Sequence, residues 1–271
     1  MALIDEEERV ILVRFRDGSA SAWGIVENGA VFRVIGSIYE NPRSGDRVGV
    51  LSDLTLLAPA EPTKIVGYAG NYQRLMTRGG TRPLPDLSDF EPMLFLKSPT
   101  CLAGPDEPVI YPRVCTRVWH EPELCFVVKR PARYVSVADA PSYVLGYTIG
   151  NDVTADNVHG RDNHLARSKS FDTWSPAGPV LVTDLDPRDL SIKLWVNGQL
   201  AVDERTSDMI WDVPRVLSEI SKVMTLLPGD LVYTGVPMFI TQELRIVKPG
   251  DVMEMEIEGI GRMKNPVVAE E

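Results

Sequence analysis

Residues 119–130 read WHEPELCFVVKR, with two carboxylates two positions apart where an apolar run begins. In an extended strand alternate side chains share a face, so Glu121 and Glu123 point the same way. Two such carboxylates repel unless a positive charge lies between them. Hard divalent cations, which prefer oxygen ligands, fill that place well. Read alone, a bare Glu-x-Glu is more often a pair of solvated surface glutamates. A second apolar run, LGYTIGNDVTADNVH over 145–159, ends in Asn151-Asp152. A lone Asp after a strand is usually a turn or helix-capping residue. Beside the two glutamates it becomes a third oxygen ligand, and three carboxylates plus water suit an octahedral cation with positions open for substrate. Lys169, in RSKSFDTWSPAGP, and the turn Thr234-Gly235-Val236-Pro237, after LVYT, carry no signal on their own. The chain has three histidines. His120 precedes the first glutamate and faces the opposite side of the strand, as a packing residue would. His159 and His164 follow the Asp152 strand and are the candidates for a catalytic base.

The elements that must position these groups are mostly strands. Residues 9–34 alternate apolar and polar side chains around Asp17-Gly18 and Asn28-Gly29, a strand meander with tight turns. The Pro/Ala/Glu stretch within 51–63 reads as a linker, so a small β domain is expected over 1–60 and a larger one over 61–271. Further strands are expected at 64–68, 93–97, 124–128, 144–150, 179–182, 191–196, 231–234 and 252–258. The clearest helical spacing lies in 207–226, where Pro214 argues for a start close to it. The segment 76–92, with paired glycines and several prolines, reads as a mobile lid or equally as a plain surface loop. Many strands, few helices and no βαβ alternation give a mainly β (α+β) fold.

Composition removes several classes of function. The net charge of −10 comes without any basic stripe, which argues against nucleic acid. No apolar run approaches the ~20 residues of a membrane helix. The start, MALIDEEERV, is not that of a signal peptide. Three cysteines without a CxxC pair suggest reduced thiols and a cytoplasmic location.

Eight segments in order resemble the fumarylacetoacetate hydrolase family: KIVGYAGNY, PMLFLKSPT, HEPELCFVV, GYTIGNDVTA, RSKSFDTWSPAGPVLV, LWVNGQ, LLPGDLVYTGVP and KPGDVMEMEIEGIGRMKNP. The resemblance implies a mixed β-sandwich roll with a small N-terminal β domain, usually a homodimer. It implies Mg²⁺ or Mn²⁺, with Ca²⁺ as an alternative, on Glu121, Glu123 and Asp152. Lys169 falls on the family lysine near metal and substrate; Tyr72, Thr234 and Gly235 fall on substrate-side positions. The implied substrate is a small 2-oxo or acylpyruvate-type acid. Two departures bear on the reaction. Family hydrolases carry a water-activating His and Glu after Asn-Tyr, where this chain has Leu75 and Arg78. The Arg and Gln that would contact the substrate carboxylate are replaced by Asp156 and His159. Decarboxylation or tautomerisation through a metal-stabilised enolate is therefore expected ahead of C–C hydrolysis. The remaining alternative is a metal-binding protein whose catalysis has decayed.

Overall fold

The computed structural model describes residues 9–81, 93–159 and 162–271; nothing is said of the side chains of Asn157 and His159. The later part of the expected lid, from residue 82, lies outside the described residues.

The N-terminal meander forms as its turns dictate. Ala20–Glu27 and Ala30–Ser37 are joined by Asn28-Gly29, both at positive φ, the backbone that a two-residue hairpin turn of right-handed twist demands. The meander continues a larger sheet, because Ile11–Asp17 pairs antiparallel with Ser175–Val182 at Ile11↔Val182 and Leu12↔Leu181. Beyond Ser175–Val182 come Val144–Asn151, Pro122–Val128, Leu231–Tyr233, Ile65–Ala69 and Met93–Lys97. All these neighbours are antiparallel except Leu231–Tyr233 and Ile65–Ala69, which run parallel. Gln199–Arg205, Ser191–Val196, Val252–Ile257, Gly261–Ala269 and Val109–Tyr111 make a second sheet. The architecture is mainly β, as the strand pattern predicts.

Pro122–Val128 is buried at every position, as a strand covered on both faces must be. Leu124, Phe126 and Val128 belong to one core with Ile192, Leu194 and Met255 of the second sheet. Cys125 and Val127 belong to a second core with Leu181, Leu231 and Trp174. The expected helix is Val213–Val223, inside the predicted span. Asp212 caps it by accepting from the Arg215 amide at 3.0 Å, and Pro214 sits in its first turn, where its missing N–H costs no bond. Val213, Val216, Leu217 and Ile220 bury its apolar stripe in the first core. Among the described residues no helix is long and apolar enough to cross a membrane.

Candidate functional site

Antiparallel pairing decides where the carboxylates meet. It sets the beginning of Pro122–Val128 against the end of Val144–Asn151, with Pro122↔Asn151 and Glu123↔Gly150 in register. The backbone continues the contact by one step, since the Asp152 amide donates to the Glu121 carbonyl at 2.9 Å. The Asn151 side chain accepts from the Glu121 amide at 3.1 Å. Two segments 30 residues apart in sequence thus deliver Glu121, Glu123 and Asp152 to one spot. One carboxylate oxygen from each lies within 4.8 Å of the others, and all three residues are buried.

Gly150 makes the approach feasible. A Cβ there would stand 2.4 Å from Cys125 Sγ and 2.5 Å from the Tyr233 ring, so a larger residue would push the Asp152 end of the strand away. Gly235 serves differently. Its φ of +108° turns its amide toward Glu123 Oε2 at 2.5 Å, a backbone geometry that favours glycine. The loop carrying it is held by Asn71, whose side-chain amide donates to the carbonyls of Thr234 at 2.8 Å and Trp211 at 2.9 Å. Thr234 is fully buried, and its hydroxyl donates to the Leu124 carbonyl at 2.8 Å. Tyr72 is fully buried as well, with a hydroxyl that has no hydrogen-bond partner among the described residues. Burial, and then the charge of Glu123, push that phenol well above its usual range.

Among the described residues three cations face the carboxylates. Lys169 bonds Asp152 Oδ2, donates to Thr154 Oγ1 at 2.9 Å, lies 3.6 Å from Glu121 Oε2 and sits 4.2 Å from the Phe95 ring centre. Lys97, wholly buried, donates to Asp152 Oδ1 at 2.6 Å and to the Trp174 carbonyl at 2.7 Å. Arg245 pairs with Glu121 Oε1. Neither Lys97 nor Arg245 was anticipated from sequence. The KSPT and ELRIV segments carry no spacing signal, and their partners lie 55 and 124 positions away.

The electrostatics divide the triad. Burial alone would raise Asp152, but Lys169 and Lys97 outweigh it and hold the carboxyl below its usual range. Burial raises Glu123 well above the ordinary carboxylate value; Asp152 and Glu121 add to this, and the Gly235 amide and Lys169 offset it only in part. Burial and its acidic neighbours thus both disfavour the charged form of Glu123, and added positive charge would favour it. Three oxygen donors gathered in burial, one of them short of countercharge, fit a hard divalent cation.

The triad and Lys169 open onto a cavity of about 270 Å³ whose walls include Tyr68, Leu75, Phe95, Trp119 and Val236. Leu75 thus stands on the wall with an aliphatic side chain. His120 is buried instead against the Phe239 ring and the Leu244 carbonyl, and burial pushes its pKa down to about 4. His164 is exposed and borders a neighbouring groove with Leu94 and Val223. The side chain of His159 lies outside the described residues.

A family model described as fumarylacetoacetate (FAA) hydrolase C-terminal matches residues 64–268, and one described as Rv2993c-like, N-terminal matches 12–59. The chain is 40% identical over 233 residues to protein Rv2993c of Mycobacterium tuberculosis, covering 85% of this chain and 84% of that protein. It is 34% identical over 226 residues to a protein of Xenopus laevis named oxaloacetate tautomerase fahd2, mitochondrial, covering 80% of this chain and 69% of that protein. Among solved structures it is similar to one described as 2-hydroxyhepta-2,4-diene-1,7-dioate isomerase from Mycobacterium marinum. That likeness has a TM-score of 0.85 and 36% identity, over 96% of this chain and 99% of the other. The names of other matched proteins extend to a bifunctional isomerase/decarboxylase and a maleylpyruvate hydrolase.

Proposed function

This chain belongs to the fumarylacetoacetate hydrolase family, and from that premise we propose that it is a divalent-metal-dependent cytoplasmic enzyme acting on a small 2-oxo acid by tautomerisation or decarboxylation. The observation that carries the reading is the buried triad: three carboxylate oxygens within 4.8 Å of one another on an apolar cavity. Glu121, Glu123 and Asp152 would hold Mg²⁺ or Mn²⁺. When bound, such a cation supplies Lewis acidity to the carboxylate and keto oxygens of a 2-oxo acid.

The residues of the chain supply the rest. Lys169, fixed by Asp152 and Thr154, brings fixed positive charge toward an oxygen that gains negative charge as a proton or carboxyl group leaves. Lys97 holds the other oxygen of Asp152 and so sets the orientation of that carboxylate. Gly235 performs the same service for Glu123. Tyr68, Phe95 and Val236 keep water from the reacting atoms and strengthen each of these interactions. Leu75 supports tautomerisation or decarboxylation over hydrolysis, since an aliphatic side chain cannot take a proton from water. The relative named oxaloacetate tautomerase supports the same order.

The test is incubation of the purified protein with Mg²⁺ and separate panels of oxaloacetate and acylpyruvates. We expect keto–enol interconversion or CO₂ release from oxaloacetate, abolished by EDTA and restored by Mg²⁺. Rapid acylpyruvate cleavage with no action on oxaloacetate would reverse the order of reactions. Turnover unaffected by EDTA would remove the metal from the proposal.

A further inference from the structure

Arg245 is positioned by backbone pairing rather than by chance contact. Ile246–Val247 pairs with Val118–Trp119, and the His120 amide donates to the Arg245 carbonyl at 3.1 Å. This register puts the arginine beside the strand that leads into Glu121. Its guanidinium lies 4.0 Å from the Trp119 ring centre and 6.0 Å from that of Phe239. One Nη bonds Glu121 Oε1, while Nε is buried with no hydrogen-bond partner among the described residues. A buried, unpaired N–H on a charged group asks for an acceptor.

The two cations on the described cavity wall are not equivalent. The Lys169 side chain is 4% exposed, and its ammonium is engaged by Asp152, Thr154 and Glu121. The Arg245 side chain is 20% exposed and has donors to spare, since a guanidinium carries five N–H groups in a planar fork. Charge counting sharpens the difference. The three carboxylates of the triad are balanced by Lys97, Lys169 and Arg245. A divalent cation on the triad therefore leaves two uncompensated positive charges in a buried site. A monocarboxylate cancels one of them and a dicarboxylate cancels both, which is the cheaper arrangement away from water.

We propose that Arg245 is a specificity-determining residue that binds a second, distal carboxylate of the substrate, so that the site selects 2-oxo dicarboxylic acids over 2-oxo monocarboxylic acids. The inference rests on the metal-dependent 2-oxo acid reading above and names the substrate class within it. The planar fork suits a carboxylate held through two N–H bonds, a geometry that lysine cannot reproduce.

Equilibrium binding separates this role from catalysis. Calorimetric titration of the full chain with Mg²⁺ present would use three probes: 2-oxoglutarate, its monocarboxylic counterpart 2-oxovalerate, and oxalate, which chelates metal but has no distal group. The expected result is that 2-oxoglutarate binds at least about ten-fold more tightly than 2-oxovalerate, as a charge-assisted bond is worth. In Arg245→Gln that preference collapses, and in Arg245→Lys it returns only in part. Lys248→Gln, which removes an exposed cation three residues away, leaves the preference intact. If oxalate and 2-oxovalerate bind but 2-oxoglutarate binds no better, the role of Arg245 is overturned. The same follows if Arg245→Gln weakens all three acids equally, because the arginine then acts only through Glu121. If none of the three binds, the proposed function itself fails and this inference falls with it.

Discussion

Each charged residue of the site is tied to another, so a substitution should report the particular job of the side chain it removes. Glu123→Gln and Asp152→Asn each take away one of three protein oxygens. We expect Mn²⁺ affinity by calorimetry to fall roughly 100-fold or more, above the 10–100-fold typical of outer-shell partners. Lys97→Met removes such a partner, and its effect should fall mainly on metal affinity, within that 10–100-fold range. Lys169→Met should instead lower kcat by about 10²–10³ with a smaller change in metal affinity, as losing a preorganised charge does. Steady-state kinetics and calorimetry on the same two lysine variants separate these outcomes; equal effects on both quantities would contradict the division of labour. His120 provides a pH readout. Its folded pKa of about 4 lies below the ordinary 6.5, so between those values the unfolded chain carries the additional proton. Stability is therefore lost as pH falls through that window, by up to about 3 kcal/mol. Urea unfolding at about pH 7 and about pH 4.5 should show a smaller acid loss for His120→Phe than for the parent chain.

At the level of elements, the site depends on register, and register depends on groups remote from the chemistry. The parallel pair Ile65–Ala69 and Leu231–Tyr233 is clamped at its start by Asp230, which is wholly buried. Asp230 Oδ1 accepts from the Thr63 amide at 2.9 Å, the Thr63 hydroxyl at 2.7 Å and the Lys64 amide at 3.1 Å. Its Oδ2 accepts from Lys64 Nζ at 2.5 Å and from the Leu227 amide at 2.7 Å. Asp230→Ala would strand these donors, and we expect a loss of roughly 3–5 kcal/mol in denaturant unfolding. Gly150→Ala should cost about 1–3 kcal/mol through overpacking against Cys125 and Tyr233. It should also weaken metal binding, because the strain is relieved where Asp152 is held. The strands themselves were legible, since apolar alternation and Gly-containing turns are local signals: Met93–Lys97 and Ser191–Val196 fall where the pattern puts them. The pairing of Ile11–Asp17 with Ser175–Val182, and with it the extension of the main sheet by the meander, was not legible. The two segments lie more than 150 positions apart, and nothing in either names the other. The positions of Lys97 and Arg245 escaped for the same reason: long-range register, not local spacing, brings a cation to a carboxylate.

For the molecule as a whole, the triad works as a clamp between distant parts of the chain. We propose that residues 1–60 form a small unit and 61–271 the catalytic one, with the carboxylates wholly in the second. Within it Glu121 and Glu123 flank the start of one central strand, and Asp152 follows the end of its neighbour. A cation bound by all three would tie these strands together in the native state and would find no such cluster in the unfolded chain. Ligands that bind only the folded form stabilise it by RT ln(1 + [L]/Kd), about 2.7 kcal/mol at a hundred times Kd. Mg²⁺ or Mn²⁺ should therefore raise the melting temperature in a saturable way, and EDTA should return it to the apo value. Glu123→Gln should abolish the increment without abolishing folding, because a neutral amide replaces a carboxyl whose charged form burial and its acidic neighbours already disfavour. A nonspecific salt effect behaves differently: it does not saturate at low concentration, persists in Glu123→Gln and is matched by Na⁺ at equal ionic strength. A saturable, Glu123-dependent shift would thus show metal binding at the triad without reference to any substrate, and its absence would leave the carboxylates balanced by Lys97, Lys169 and Arg245 alone.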